Sequence, residues 1–238
     1  MKKIKALFSG KSQTVQAAPK SEDDYYRELF IENPQWNKPA PNAEELQRWN
    51  IIEKFVYFIR GFQRSSTDQA QIKILDLGCG RGWLSNLLSS YGEITAVEPV
   101  AEVAAYAKKM FPALNISAGG ADNLLENGLK ENFQLLVCSE VIEHVPDHEK
   151  GSFVSKIENL ISKGGFAIIT TPRKETQAEW MKHSNPDQPV EEWVDETTLI
   201  NLFTTNGFSV VDMQRCAAKP TPQGPDIEIY QLWLFQKK

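Results

Sequence analysis

The stretch Ile74-Leu75-Asp76-Leu77-Gly78-Cys79-Gly80-Arg81-Gly82-Trp83-Leu84 concentrates residues able to do chemistry. Gly78, Gly80 and Gly82 alternate, and Asp76 precedes the first of them by two positions. Glycines let a backbone turn tightly and approach a ligand closely. In dinucleotide folds such a loop faces a pyrophosphate. An anionic Asp76 repels a pyrophosphate and suits a ligand with a cationic amino-acid end. Glu98 closes the next apolar run, about twenty residues downstream, where a carboxylate can accept hydrogen bonds from both ribose hydroxyls. Each feature alone is weak, since glycine turns are common and a Glu at a strand end is usually solvated. Together they describe a site for a nucleoside with a cationic tail, which favours S-adenosylmethionine over NAD.

A second cluster is Ser139-Glu140-Val141-Ile142-Glu143-His144-Val145-Pro146-Asp147. His144 is one of three histidines, with His148 and His183. An imidazole suits general-base work near neutral pH, so His144 and its neighbour Glu143 are the catalytic candidates. The same segment can instead cap a helix and hold a loop. Glu140, Glu143 and His144 stand at i, i+3 and i+4 and would share one face of a helix. No metal ligand is assigned.

These residues need elements to hold them. From residue 43 onward, Leu46, Trp49, Ile52, Phe55, Val56 and Ile59 recur at spacings of three and four, one face of a helix. Asn42 and Glu45 form a capping-box pattern at its start. Short apolar runs then alternate with helical patterns. Strands are expected at 72–77, 93–97, 115–118, 133–138 and 166–171. Helices are expected at 83–90, 100–110, 122–130 and 147–161, the last stopped by Gly164-Gly165. A helix at 197–205 precedes two strands, 208–213 and 229–235, with no helix between them. Alternation of this kind builds a parallel sheet with right-handed crossovers, and the last two strands form an antiparallel hairpin. The fold class is therefore α/β, a doubly wound, seven-stranded, mostly parallel sheet. Residues 1–21 read as a disordered tail, 22–64 as an N-terminal helical cap, and 65–238 as the sheet domain. The irregular segment 173–194, with Trp180 and Trp193, reads as a lid or acceptor-binding insertion. The cap and this insertion are expected to be mobile and to close over the pocket.

The glycine loop, in the form D-L-G-C-G-x-G, resembles the class I S-adenosylmethionine-dependent methyltransferases, whose fold is Rossmann-like. The resemblance covers residues 72–211 and includes Ser139 to Asp147, Gly164-Gly165 and Thr170-Thr171-Pro172. It looks like the branch of ubiquinone-biosynthesis-type O-methyltransferases and other small-molecule enzymes. The resemblance implies that Asp76 and the backbone from Gly78 through Cys79 and Gly80 to Gly82 hold the methionine end. It implies that Glu98 holds the ribose, that Ala121 and Asp122 read adenine, and that Ser139 lines the sulfonium side. Trp83, Pro99 and Gly120 complete the cofactor-binding set. Gly120 stands where relatives often carry an acidic residue, so Asp122 is the alternative group for the adenine amine. Arg48 is added as a partner for the cofactor carboxylate or an anionic acceptor. Trp36, also in the cap, invites an acceptor-binding reading. Glu140-x-x-Glu143-His144 also resembles the metal site of small-RNA terminal 2′-O-methyltransferases, but the further histidine before an E-W pair is absent at Glu192-Trp193.

Composition bounds the partners. The chain has 238 residues, is 41% hydrophobic and carries a formal net charge of -5. Nucleic acid usually demands a basic face, and no apolar run is long enough to span a membrane. Three cysteines without C-x-x-C spacing fit a reducing, cytoplasmic setting. The expected function is O-methylation of a small molecule such as a sugar or secondary metabolite, with S-adenosyl-L-homocysteine as product. The alternatives are an RNA 2′-O-methyltransferase and a degenerate, non-catalytic binding protein of the same fold.

Overall fold

A computed structural model describes residues 21–63, 71–184 and 188–238. The expected tail lies almost entirely outside these residues, as do positions 64–70 and 185–187. Seven strands form one sheet: β1 (Lys73–Leu77), β2 (Glu93–Glu98), β3 (Asn115–Ala118), β4 (Phe133–Ser139), β5 (Ile161–Pro172), β6 (Phe208–Ala218) and β7 (Ile227–Lys237). Their order is β3-β2-β1-β4-β5-β7-β6. β1 to β5 pair in parallel, and β7 runs antiparallel to both β5 and β6. This is the expected sheet, with the hairpin strands longer than the sequence pattern suggested.

Eight α-helices accompany the sheet among the described residues: α1 (Glu22–Arg27), α2 (Ala43–Gln63), α3 (Trp83–Leu88), α4 (Ala101–Met110), α5 (Ala121–Glu126), α6 (Lys150–Leu160), α7 (Lys174–Trp180) and α8 (Glu196–Thr205). One apolar layer joins α2, α3 and α4 to one face through Ile52, Phe55, Val56, Ile59, Leu84, Leu88 and Ala107. The other face is covered by α5, α6 and α8 through Leu124, Val154, Ile157, Leu199 and Phe203. The central strands are therefore buried on both sides, which explains their continuous apolar runs.

Helix α2 begins as its sequence promised. The Asn42 N–H donates to Glu45 Oε2 at 2.7 Å, and the Glu45 N–H donates to Asn42 Oδ1 at 2.9 Å. Ile52, Val56 and Ile59 are fully buried, whereas Leu46, in the same periodic set, is exposed. Over residues 43–63 the expected cap is thus a structural layer of the sheet. The preceding segment, α1 with a single π-helical turn at Glu28–Glu32, lies over the site, and the first turns of α2 add Glu44, Glu45 and Arg48 to its wall.

Two boundaries differ from expectation. Helix α6 starts at Lys150 rather than 147, because Ile142–His144 form a separate 3-10 turn. It ends at Leu160, before the two glycines. Ile161 already pairs with Phe133, the chain bulges through 162–165, and pairing resumes at Phe166 with Leu135. Gly164, at φ +74, makes that bulge rather than stopping the helix. Segment 173–194 is less irregular than predicted, since it contains α7 and buries both Trp180 and Trp193.

Candidate active site

A cavity of about 480 Å³ opens at the carboxyl ends of β1, β2, β4 and β5. Open parallel sheets bind ligands there, where the strand order reverses. Here the reversal falls between β1 and β4. The turn after β1 needs glycine. Gly78 adopts φ +80, and a Cβ on it would lie 2.5 Å from Val141 Cγ2. Gly80 adopts φ +51, and a Cβ there would meet the Phe30 ring at 3.1 Å. The Gly78 and Cys79 N–H groups both donate to the Val97 carbonyl, which binds the loop to β2.

Glu98 ends β2 and closes this loop. Its Oε2 accepts from the Gly80 N–H at 2.9 Å and its Oε1 from the Val100 N–H at 3.0 Å. Each oxygen keeps a lone pair, and Glu98 lines the cavity. Burial raises its pKa, although the two N–H groups oppose the shift. Asp76 is 1% exposed and accepts from Ser85, whose Oγ stands at 2.5 Å and whose backbone N–H adds to the hydrogen bonding. Burial pushes its pKa up to about 7, against the Ser85 hydrogen bond. A buried carboxylate short of donors is complementary to a cationic ligand group. The donor set therefore fits a nucleoside with an ammonium end, the expected S-adenosylmethionine.

Cys79, Trp83, Pro99 and Ser139 also line the cavity. Burial raises the Cys79 thiol pKa well above its ordinary value. Gly82 is absent from the wall; at φ +83 it turns the chain into α3 and faces Phe111 and Ile116. Gly120, Ala121 and Asp122 lie outside the wall as well. The Gly120 N–H is capped by Asn123, Ala121 is buried in the core, and exposed Asp122 pairs with Lys156 at 2.7 Å.

The three residues expected on one helical face do not share one. Glu140 adopts φ +57, outside the 3-10 turn that carries Glu143 and His144. It points into a network of its own, accepting from Thr170 Oγ1 at 2.7 Å, with Ser139 Oγ 2.8 Å from the same hydroxyl. Glu143 accepts from Thr171 Oγ1 at 2.9 Å. Burial raises both carboxyls to about 7. Among the described residues no group of three or more His, Cys, Asp or Glu is placed to hold a metal ion.

His144 lies on the cavity wall with its Nδ1 2.9 Å from the Val190 carbonyl. A carbonyl only accepts, so Nδ1 carries the proton and Nε2 keeps a free lone pair. Nε2 stands 3.8 Å from Glu143 Oε1. Burial lowers the His144 pKa below its usual 6.5, partly offset by the Val190 carbonyl and Glu191. The imidazole is thus neutral and able to take a proton near pH 7.

Several wall residues escaped the sequence pattern. Tyr26 packs edge-on against His144 at 5.8 Å and stacks with Phe30 at 6.0 Å, so α1 roofs the site. The only sequence signal was their i, i+4 spacing. Arg81, inside the glycine loop, is 1% exposed and grips Glu45 through two hydrogen bonds of 2.6 and 2.7 Å. It also donates to the Lys38 and Ala40 carbonyls, tying the N-terminal segment to the loop. Arg48, by contrast, was expected from the sequence and does line the cavity; it is 5% exposed, with its guanidinium 4.4 Å over the Tyr230 ring.

Comparison with known proteins agrees with this geometry. A methyltransferase-domain family model matches residues 46–213. The chain is 30% identical over 158 residues to a ubiquinone biosynthesis O-methyltransferase of Rickettsia conorii, covering 64% of this chain and 53% of that protein. It is 36% identical over 110 residues to the mitochondrial ubiquinone biosynthesis O-methyltransferase of Rattus norvegicus, covering 43% and 31% respectively. The chain thus spans about half or less of the length of these relatives. The N-methyltransferase NodS of Bradyrhizobium japonicum, solved with S-adenosyl-L-homocysteine, superposes with a TM-score of 0.66 at 17% identity, over 91% of this chain and 98% of that one. A Burkholderia thailandensis 1,6-didemethyltoxoflavin N1-methyltransferase superposes at 0.61 and 17% identity, over 91% and 87%. Sheet order, glycine loop and family match together place the chain in the methyltransferase-domain family, with the class I S-adenosylmethionine-dependent methyltransferase fold.

Proposed function

We propose that this chain is an S-adenosylmethionine-dependent methyltransferase that methylates an oxygen of a small molecule. The observation that carries the reading is the closed loop at the cavity floor, where Glu98 holds Gly80 while buried Asp76 awaits a cation. Bound there, S-adenosylmethionine supplies an electrophilic methyl group on a sulfonium. Asp76 would receive the ammonium end and Glu98 the ribose hydroxyls, with Gly78 and Gly80 giving backbone access. Cys79, Trp83, Pro99 and Ser139 would line the remainder of that subsite.

His144 would accept the proton of an acceptor hydroxyl at Nε2, with the Val190 carbonyl fixing the tautomer. Glu143 would steady the imidazolium that results. Tyr26, Phe30, Trp180 and Trp193 line the chamber with aromatic surface. The relatives named as ubiquinone biosynthesis O-methyltransferases support oxygen as the acceptor atom. The test is transfer of a labelled methyl group to compounds in a small-molecule metabolite pool. Label found only in macromolecules, or in no acceptor at all, would sink this reading.

A further inference from the structure

The turn that carries His144 is held by two residues to which the proposed reaction gives no part, Lys150 and Glu192. Lys150 is 2% exposed, yet it opens helix α6. That is a poor place for a lysine on two counts. Burial withdraws its charge from water, and the first turn of a helix is the positive end of its dipole. Two carboxylates offset this. Lys150 Nζ lies 2.7 Å from Asp147 Oδ1 and 3.8 Å from Glu192 Oε2. It also donates to the Val145 carbonyl at 2.7 Å. Its hydrogen bond holds the Asp147 carboxyl below the usual carboxylate range.

These contacts join two stretches of chain. One is the turn 143–147 after β4, and the other is 190–192, near the end of the long segment before α8. The Glu192 N–H donates to the Glu143 carbonyl at 2.8 Å, and Glu192 Oε2 accepts from the Asp147 N–H. The Val190 carbonyl meets His144 Nδ1 at 2.9 Å. The backbone is therefore fixed on both sides of His144, at Glu143 before it and at Val145 and Asp147 after it. Without Lys150, Asp147 and Glu192 would face each other as two carboxylates with no cation between them, and like charges at that range repel. Val190 would move away with Glu192. The imidazole would then lose the acceptor that sets its tautomer.

We propose that Lys150 and Glu192 are positioning residues, a clamp that holds 190–192 against the His144 turn and keeps His144 as the Nδ1–H tautomer, with the Nε2 lone pair free. The catalytic value of the clamp rests on the methyltransferase reading above, in which Nε2 takes the acceptor proton.

The test compares wild type, Lys150→Met and Glu192→Ala at pH about 8, where the imidazole is neutral. Nitrogen NMR of the imidazoles reads the tautomer without any substrate. His144→Ala tells the His144 signals from those of His148 and His183. Wild-type His144 should be Nδ1–H alone, and both variants should show the Nδ1–H and Nε2–H forms together. Transfer of a labelled methyl group to the small-molecule pool should slow by about 10–100-fold, the cost of a misplaced group, with S-adenosyl-L-homocysteine affinity within about twofold of wild type. Thermal unfolding checks that the variants fold. The Glu192 side chain is 44% exposed, so Glu192→Ala carries the test if Lys150→Met does not fold. A folded variant that keeps the Nδ1–H form alone would overturn the proposal whatever its rate, because the pair would then serve stability only. Wild-type His144 in the Nε2–H form would overturn it too. So would a loss of S-adenosyl-L-homocysteine affinity of about tenfold or more, which would tie the pair to the cofactor. No methyl transfer by the wild-type chain would defeat the methyltransferase reading instead, and the tautomer comparison would still decide the clamp.

Discussion

At the level of single residues, the site is a set of buried groups held away from their ordinary protonation. His144 is kept neutral by burial, so it is already a base at physiological pH. Its replacement by alanine should lower turnover by about 10²–10⁴-fold, the usual contribution of base catalysis, with cofactor affinity nearly unchanged. The wild-type rate should rise with pH through a value below 6.5 and then level off. A rate that still climbs above neutrality would show that another group takes the proton. Asp76 makes a different prediction. Burial leaves it protonated up to about 7 in the free protein, and an ammonium partner must pull that value down. Binding of S-adenosyl-L-homocysteine near pH 6 should therefore release up to about one proton, fading as the pH rises past 8. Calorimetry in two buffers of different ionisation heat reads this directly. Proton uptake, or no exchange near pH 6, would mean that Asp76 does not meet the ammonium.

At the level of elements, the glycine loop is locked from below and above. Below it, Gly78 leaves no room for a side chain beside Val141. Above it, Arg81 joins the loop to the start of α2 through Glu45, itself the capping residue of that helix. Both members of the Arg81–Glu45 pair are almost fully buried. Removing one partner of such a pair usually costs about 3–5 kcal/mol, because the other charge is left uncompensated. Denaturant unfolding of Arg81→Met should show a loss of that size, and a change under about 1 kcal/mol would mean that the charge finds water. Much of this was legible in the sequence. Asn42 and Glu45 announced their cap, the alternating glycines announced the turn, and Asp76 and Glu98 stood where the strands deliver them. What could not be read was set by contacts distant in the chain. Nothing local tells that Arg81 turns toward Glu45, that Tyr26 reaches His144, or that Glu140 takes a positive φ and leaves the helical face. Gly164 was misread because a glycine after a helix signals a stop as readily as a bulge.

At the level of the whole molecule, the N-terminal region divides into two parts with different duties. Helix α2 is a wall of the core, with Ile52, Val56 and Ile59 fully buried against the sheet. Helix α1 and the turn after it have no fully buried residue and rest on the cavity through Tyr26 and Phe30. Stability in a fold is graded in this way, and segments with few buried contacts open first. Hydrogen exchange should therefore be slow across α2 with or without ligand. Across residues 22–36 it should be fast in the free protein and slow down when S-adenosyl-L-homocysteine is bound. Equal protection of both segments in the free protein would remove the basis for a movable roof. The sequence pattern grouped both parts as one cap; the apolar face of the helix from residue 43 pointed to packing on the sheet, as found, but nothing in it separated that helix from the segment before it. The most direct measurement is a calorimetric titration of the wild-type chain and of Glu98→Ala with S-adenosyl-L-homocysteine and with NAD. The wild-type chain should bind S-adenosyl-L-homocysteine at one site and give no heat with NAD, and Glu98→Ala should weaken that binding by about 1–3 kcal/mol. Saturable binding of NAD with no response to S-adenosyl-L-homocysteine would contradict the assignment.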